Sequence, residues 1–433
     1  MGAWALCVFL SCAGSPDAYA QIDAGVSAGS YGNALASLDN VNGNARKTVY
    51  TSKNGILLYL DRGMIEHYAE QYSDSSQDLE TAERLIEDAF TKSLSQEIGS
   101  YLLNDNVKDY SGEDYEDLYI NVFNSLNYYH NNDLEGALVE IRRLNEKLNY
   151  LADKYEKAKD KVLESNPQVN PSQLPVEASQ FSNSALARYL GMLFYRGTGR
   201  SDSARVDYEE LGRAYSLAPG VYTNKIPSSV EDELSVSPGV GRLNVIAFAG
   251  LSPVKEPVNI IIPLPFPYPN NTARLSLPKL VNRPQTIQWA EVVLDSGEKF
   301  RLELIEDMGA VARETFKSKY GLTVLKTTAR TITKAAASAA LAKTASDKKN
   351  GGEGLGSLVG LLGKIYTVAS EQADTRLSRY FPCYALVGGI NLEPGVYTVT
   401  VNFYGNGGLV NSQSKEIEVR EGFLNLEEFV CLK

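Results

Sequence analysis

The hydrophobic pattern of this chain changes period near Gly239, and one backbone geometry cannot serve both halves. Up to about residue 220, apolar residues recur at helical spacing in paired segments. From Gly239 they gather in short β-branched and aromatic runs cut by Pro and Gly: Leu243 to Phe248, Val258 to Ile262, Thr286 to Leu294 and Lys299 to Ile305. A second set follows at Tyr384 to Val387, Gly395 to Phe403 and Lys415 to Val419. The sequence therefore predicts an α+β chain, with a helical domain over 17–220 and a β-rich, sandwich-like domain over 239–433. Pro263 to Pro269 lacks the N–H donors of a ladder and reads as a connection or an edge. A helical insertion at 306–375 separates the two strand sets. Its Lys326, Arg330 and Lys334 form a basic stripe, which suits anionic lipid headgroups, the acidic helical half, or a solvated face on a helix packed against the sheet.

Four turns in the helical half are followed by one spacing. Tyr31-Ala34-Leu38-Val41, Tyr72-Ser75-Leu79-Ala82, Leu134-Ala137-Ile141-Leu144 and Ala204-Asp207-Leu211-Ala214 each resemble the second helix of a tetratricopeptide repeat. Small residues there let two helices approach closely. First positions are 41, 62 and 70 residues apart, against 34 in the regular repeat. The expectation is an irregular solenoid of α-hairpins with insertions, among them Gly99 to Asp117 and Asn166 to Pro175.

Cys12 closes the apolar run Ala3 to Leu10, with Ser11 before it, and reads as the lipid-attachment cysteine of a bacterial lipoprotein. Residues 1–12 would be signal and anchor, and Gly14-Ser15-Pro16 a flexible tether. Met1 to Ser11 carries no Lys or Arg, which places the charged part of such a leader upstream. The expected location is the periplasmic face of the envelope, held to the membrane by lipid. Ala13, rather than the Asp that retains lipoproteins at the inner membrane of enteric bacteria, favours the outer membrane. Leu355 to Ala369, interrupted by three Gly and Lys364, is too short for the roughly 20 residues that cross a bilayer.

Charge narrows the partners. The net −11 is concentrated at residues 50 to 165, which hold 24 Asp and Glu against 12 Lys and Arg. Such a surface repels phosphate backbones, so nucleic acid is not expected and a basic protein surface is. With Cys7 in the leader and Cys12 acylated, Cys383 and Cys431 remain. An oxidising compartment allows them to pair, which would add about 4 kcal/mol in the chain-entropy model, and two independent buried thiols fit equally well.

Little in the chain announces catalysis. His67 and His130 have no metal-ligand spacing, and hairpin packing or helix-end exposure explains them best. Gly351 to Gly356 follows a helix without a Walker lysine, as a flexible turn would. Glu113, Asp114, Glu116 and Asp117 complement a helix dipole better than they serve as an acid-base pair. No catalytic residue, metal site or cofactor is expected.

Two polar clusters stand out: Glu140 with Arg142 and Arg143, and Asp374 with Arg376 and Arg379 where the insertion returns to the sheet. Ion pairs locking hairpin to hairpin and insertion to sheet are the first reading, and a carboxylate or phosphate ligand the second. The ordered set Gly112 to Tyr115, Leu126-Asn-Tyr128, Ala137 to Glu140 with Arg142-Arg143, and Ala373 to Arg376 resembles a family of uncharacterised bacterial envelope lipoproteins with a tetratricopeptide-like first half. In that family an aromatic, usually Trp, follows the Asp-Thr-Arg run, whereas Leu377-Ser378 stands here. The resemblance implies envelope location and interaction through helical repeats, with no catalytic residue to carry over.

The function expected is a non-enzymatic, lipid-anchored scaffold that binds another envelope protein through a concave acidic helical surface. Tyrosine, at 26 residues against 13 Phe, suits contact surfaces, with Tyr119, Tyr128, Tyr129, Tyr150 and Tyr155 as candidates, several of which must be core instead. The alternative is a module whose β domain holds peptidoglycan or another glycan.

Overall fold

A computed structural model describes residues 16–95, 108–151, 153–167, 169, 179–263, 272–347 and 372–433. Cys12, most of the Pro-rich stretch and Gly351 to Gly356 lie outside the described residues. Helices come first and a mostly β half follows, as the change of period requires. Helices α1 (Pro16–Ser27) and α2 (Tyr31–Asp39) pair, and α3 (Asn44–Thr48) leads through a 3-10 turn to α4 (Gly55–Tyr68) and α5 (Tyr72–Ser95). Next come α6 (Asp114–His130) with α7 (Leu134–Leu151), α8 (Glu156–Ser165), and α9 (Ala185–Gly197) with α10 (Ser201–Leu217).

The four hairpin turns are one turn used four times. In each a single residue takes the left-handed conformation: Gly29 (φ 71°), Glu70 (61°), Asn132 (62°) and Gly199 (75°). The N–H of the next residue reaches back five positions, Ser30 to Gly25, Gln71 to Glu66, Asp133 to Tyr128 and Arg200 to Tyr195, at 2.8–2.9 Å. Each second helix starts two residues after the left-handed one. This corrects the register of the fourth instance. Counting from Ser201, Ala204 is the equivalent of Ala34, Ser75 and Ala137, and all four are buried. The close approach also draws on glycines of the facing helices: a Cβ on Gly63 would lie 2.9 Å from Leu79, and one on Gly25 2.9 Å from the Ala34 backbone.

The β half holds β1 (Gly241–Leu251), β2 (Val254–Pro263), β3 (Thr272–Val281), β4 (Trp289–Leu294), β5 (Lys299–Asp307), helix α11 (Met308–Asp347), β6 (Pro382–Leu392), β7 (Gly395–Gly405), β8 (Gly408–Val419) and β9 (Asn425–Cys431). The sandwich expectation is replaced by a different arrangement. Seven strands form one sheet in the order β8-β7-β4-β5-β6-β1-β9, and β2 and β3 form a separate ribbon. Only β1 and β9 run parallel within the seven. The sheet curls until β8 meets β9, nearly a barrel, around Val245, Ala247, Val292, Val401, Phe403 and Phe429.

Strand β1 is buried on both faces. Leu243, Val245 and Ala247 point into the curl, whereas Ile246 and Phe248 point at the helices. That alternation separates the two cysteines. Cys431 sits beside Ala249 on the inner face, and Cys383, on β6 across β1, packs on the helix side against Gly309. Two strand spacings of about 4.8 Å exceed the roughly 7 Å limit for a disulfide, and the side chains diverge. Both are free, buried thiols, raised by burial to about 12 for Cys383 and about 11 for Cys431.

Helix α11 docks on the helical half: Leu322, Leu325, Ala329 and Ile332 pack with Tyr155, Ala158 and Val162. Arg330 is buried there, so the basic stripe is not an open lipid-facing surface, and the side chain of Lys334 lies outside the described residues. The larger core runs through both halves without a break. Phe123 of α6 meets Phe248 of β1 at 5.0 Å and Phe381 at 6.0 Å between ring centroids. Phe123→Ala is expected to cost about 3–5 kcal/mol. The helical and sheet signals of that variant should still melt together, as followed by far-ultraviolet and near-ultraviolet circular dichroism; separate transitions would contradict one shared core.

Candidate functional site

The chemistry of this protein is concentrated where the helices meet the sheet, and it consists of buried carboxylates. Asp61 on α4 accepts from the Tyr50 hydroxyl (2.8 Å), the Ser378 hydroxyl (2.7 Å) and the Arg379 N–H (2.7 Å). Glu116 on α6 accepts from the Tyr110 hydroxyl (2.7 Å) and the N–H groups of Glu113 (2.7 Å) and Ser378 (2.6 Å). Glu113 and Glu116 form a capping box at the start of α6, which refines the dipole reading of this acidic run. Burial raises Asp61 to about 6 and, with the nearby Glu113 charge, Glu116 to about 7. Glu306, from β5, has hydroxyl and amide donors instead of a cation: Tyr119 (2.8 Å), Ser184 (2.9 Å), Tyr222 (2.5 Å) and the Leu186 N–H (3.3 Å). Burial raises its pKa as well.

Other interior carboxylates are ion-paired. Glu233 is met by Arg196, by Arg242 Nε at 2.8 Å and by Asn244 at 2.7 Å. Lys255 and Lys319 both donate to Glu113, at 2.6 and 2.8 Å, and although burial works against the charge they hold its pKa below the usual range. The two histidines, 63 positions apart in the chain, converge on Glu428 of β9. His67 Nε2 lies 2.7 Å from Glu428 Oε1 and Nδ1 2.6 Å from the Asn127 oxygen, so both ring nitrogens face acceptors. His130 Nε2 stands 3.5 Å from the other carboxylate oxygen. Burial opposes the imidazolium, but Glu428 and Asn127 outweigh it and raise His67. The pairing equally outweighs burial at Glu428 and lowers it well below the ordinary carboxylate value.

The sequence-predicted residues divide into two separate places. Asp374, Arg376 and Arg379 lie on the segment that returns to the sheet. Arg376 forks onto Asp374 with two 2.8 Å bonds and donates to Asn54 (3.0 Å) and the Lys108 carbonyl (2.9 Å). Arg379 binds Asp23 of α1 at 2.8 and 2.5 Å. Glu140 is buried on α7, accepting from Asn121 of α6 (2.7 Å) and Arg143 (3.0 Å); Arg143 also approaches Glu83 of α5, and Arg142 is exposed. Both clusters fasten elements together. A groove of about 530 Å³ beside Glu140 is lined by Glu80, Glu83, Glu87 and Asp133 with Arg84 and Arg143. Among the tyrosines expected on a surface, Tyr119 and Tyr155 are interior, Tyr129 is half-buried against Leu426, and Tyr150 is exposed. Among the described residues no group of three or more His, Cys, Asp or Glu is arranged to hold a metal ion, and no helix is long and apolar enough to cross a membrane.

Sequence reasoning missed Asp61, Glu233, Glu306 and Glu428. For Glu306 a signal existed: it follows Leu304-Ile305 in a strand whose other polar positions alternate outward. The raised groups make stability depend on pH in one direction between 5 and 8. Asp61 and Glu116 are protonated in the folded state and ionised in the unfolded one at pH 5, so stability falls as pH rises through about 6 and 7. His67, raised, contributes fully below its unfolded value near 6.5 and loses that contribution as pH rises through its folded value. Melting at constant ionic strength should therefore give a Tm several degrees higher at pH 5 than at pH 8, reflecting a few kcal/mol; an equal or lower Tm at pH 5 would refute the assignment.

Comparison of the chain with family models, with curated proteins and with solved structures finds no match.

Proposed function

We propose that this protein is a lipid-anchored, non-enzymatic envelope scaffold whose helical hairpins take a basic protein partner on their outer face. One observation carries the reading. The inner helices α4, α6 and α9 are covered by the chain's own sheet, whereas the second helices α5 and α7 leave an open groove with Glu80, Glu83, Glu87 and Asp133 along it and Tyr128 and Val139 beside them. The partner surface is therefore the opposite side from the concave one expected of such repeats. The shared left-handed turn supports reading the hairpins as tetratricopeptide-like, with insertions that break the period. The interior carboxylates support a structural role, because donors from the chain itself engage each of them. The anchor would be Cys12 at the periplasmic side of the outer membrane, four residues before α1 begins.

Glu80 and Glu87 are exposed, so reversing both tests the groove without disturbing the core. In cells, crosslinking from Val139 should give a discrete adduct that falls about tenfold or more in the Glu80→Lys, Glu87→Lys variant; an unchanged adduct rules the groove out. Radiolabelled palmitate should enter the wild type and not Cys12→Ala, and incorporation into both would remove the anchor. A second reading has its own observation. Trp289 and Tyr404 stack at 3.9 Å on the outer face of the sheet, with the Arg301 guanidinium 5.0 Å from the indole, the kind of aromatic surface sugars rest on. Retention on isolated cell wall that drops in Trp289→Ala would favour that glycan-binding module.

A further inference from the structure

One guanidinium in the interface has no carboxylate. Arg283, in the link from β3 to β4, donates from Nη2 to the Arg379 carbonyl at 2.8 Å, and its Nε is buried without a hydrogen-bond acceptor. Among the described residues no acid lies within ion-pair distance of it, and Asp23, bound to Arg379, is a nearby carboxylate that acts on its charge. It lines a pocket of about 220 Å³ together with Lys255, Arg376 and Arg379, against a single carboxylate, Glu256. The other three cations are balanced from behind: Lys255 by Glu113, Arg376 by Asp374 and Arg379 by Asp23. Arg283 is the cation left over. Burial and the neighbouring Arg379 charge lower its pKa to about 10, so it stays charged at neutral pH while carrying an unpaid desolvation cost.

We propose that the pocket around Arg283 is a binding site for a small oxyanion, phosphate or carboxylate, held between the guanidinium edges of Arg283 and Arg379. An oxyanion supplies what the cluster lacks, a counter-charge with acceptor oxygens in the planar geometry that suits guanidinium N–H donors. Tyr19, Val49 and Leu57 add apolar surface to the lining, the Tyr19 ring lying 4.5 Å from the Arg379 guanidinium. The pocket also has a definite position. Tyr19 lies in the first turns of α1, which begins four residues after Cys12, a reach of at most about 14 Å of extended chain. If the chain is acylated there, the phosphate of a membrane lipid headgroup is within reach, as is an anion free in solution; only the headgroup source rests on the anchor reading.

The test uses the full chain, with inorganic phosphate and acetate as probes and chloride as the control at matched ionic strength. Either probe is expected to raise Tm progressively at millimolar concentrations, and phosphate-31 NMR should show line broadening on binding. Arg283→Gln should weaken binding about tenfold or more. Glu256→Gln, at an exposed position, should tighten it about two- to threefold by removing the one like charge. That second variant decides the matter if Arg283→Gln does not fold. A shift as large in chloride, binding unchanged in Arg283→Gln, or no tightening in Glu256→Gln would overturn the site. Phosphatidylglycerol vesicles that displace bound phosphate identify the headgroup as its source, and vesicles that leave it bound identify a soluble anion. Loss of the Cys12 anchor would alter only the first of these results.

Discussion

A carboxylate in an apolar interior has to be met by donors or take up a proton, and this chain does both where its two halves join. Asp61, Glu116 and Glu306 each accept three or more hydrogen bonds, and in each case at least one donor comes from a distant part of the chain. Removing one carboxylate would therefore deprive several buried donors of their acceptor at once. The segment around Ser378 is held in this way from two sides, its hydroxyl on Asp61 and its N–H on Glu116. Docking of helices on sheet is thus fixed in register as well as in area. The aromatic contacts among Phe123, Phe248 and Phe381 supply area, and the carboxylates choose one arrangement among those the apolar surfaces would tolerate.

That requirement also accounts for the tyrosine content. A phenylalanine in place of Tyr50, Tyr110, Tyr119 or Tyr222 would fill nearly the same volume and leave a carboxylate short of a donor. Tyrosine carries a hydroxyl to the end of a rigid, mostly apolar side chain, which suits a donor that must cross a packed layer. The composition first reads as a surface rich in contact residues. The positions show that much of it serves the inside: among the candidates Tyr119 and Tyr155 are interior, whereas Tyr150 is exposed and Tyr128 lines the groove.

Local information in the sequence was sufficient for the helices, for most strands and for the close-packed positions Ala34, Ser75 and Ala137, because those depend on period and side-chain size. It failed where one residue's meaning depends on a partner hundreds of positions away. His67 is an ordinary helix-end histidine until Glu428, 361 residues later, is beside it. Cys383 and Cys431 form a plausible pair along the chain, yet alternation on two strands either side of β1 turns them to opposite faces. The register error in the fourth hairpin has a similar source: Asp207 and Leu211 fit the small-and-apolar spacing by coincidence, and the left-handed Gly199 alone sets the true origin. Strands β3 and β9 escaped notice because Pro278 interrupts one and the adjacent Glu427 and Glu428 break the alternation of the other, both tolerable on a ribbon and at a sheet edge.

The same topology determines which surfaces remain for partners. In an open solenoid the inner helices are the exposed recognition surface, but here β1, β6 and β9 occupy that side, and α6 is buried along most of its length. What stays uncovered is the second helices, the outside of the curled sheet, and gaps along the joint itself. A joint built from paired charges tolerates a gap only if the charge left in it is compensated. Among the described residues no carboxylate pairs with Arg283, and a guanidinium kept there despite its desolvation is the gap that the proposed oxyanion would fill.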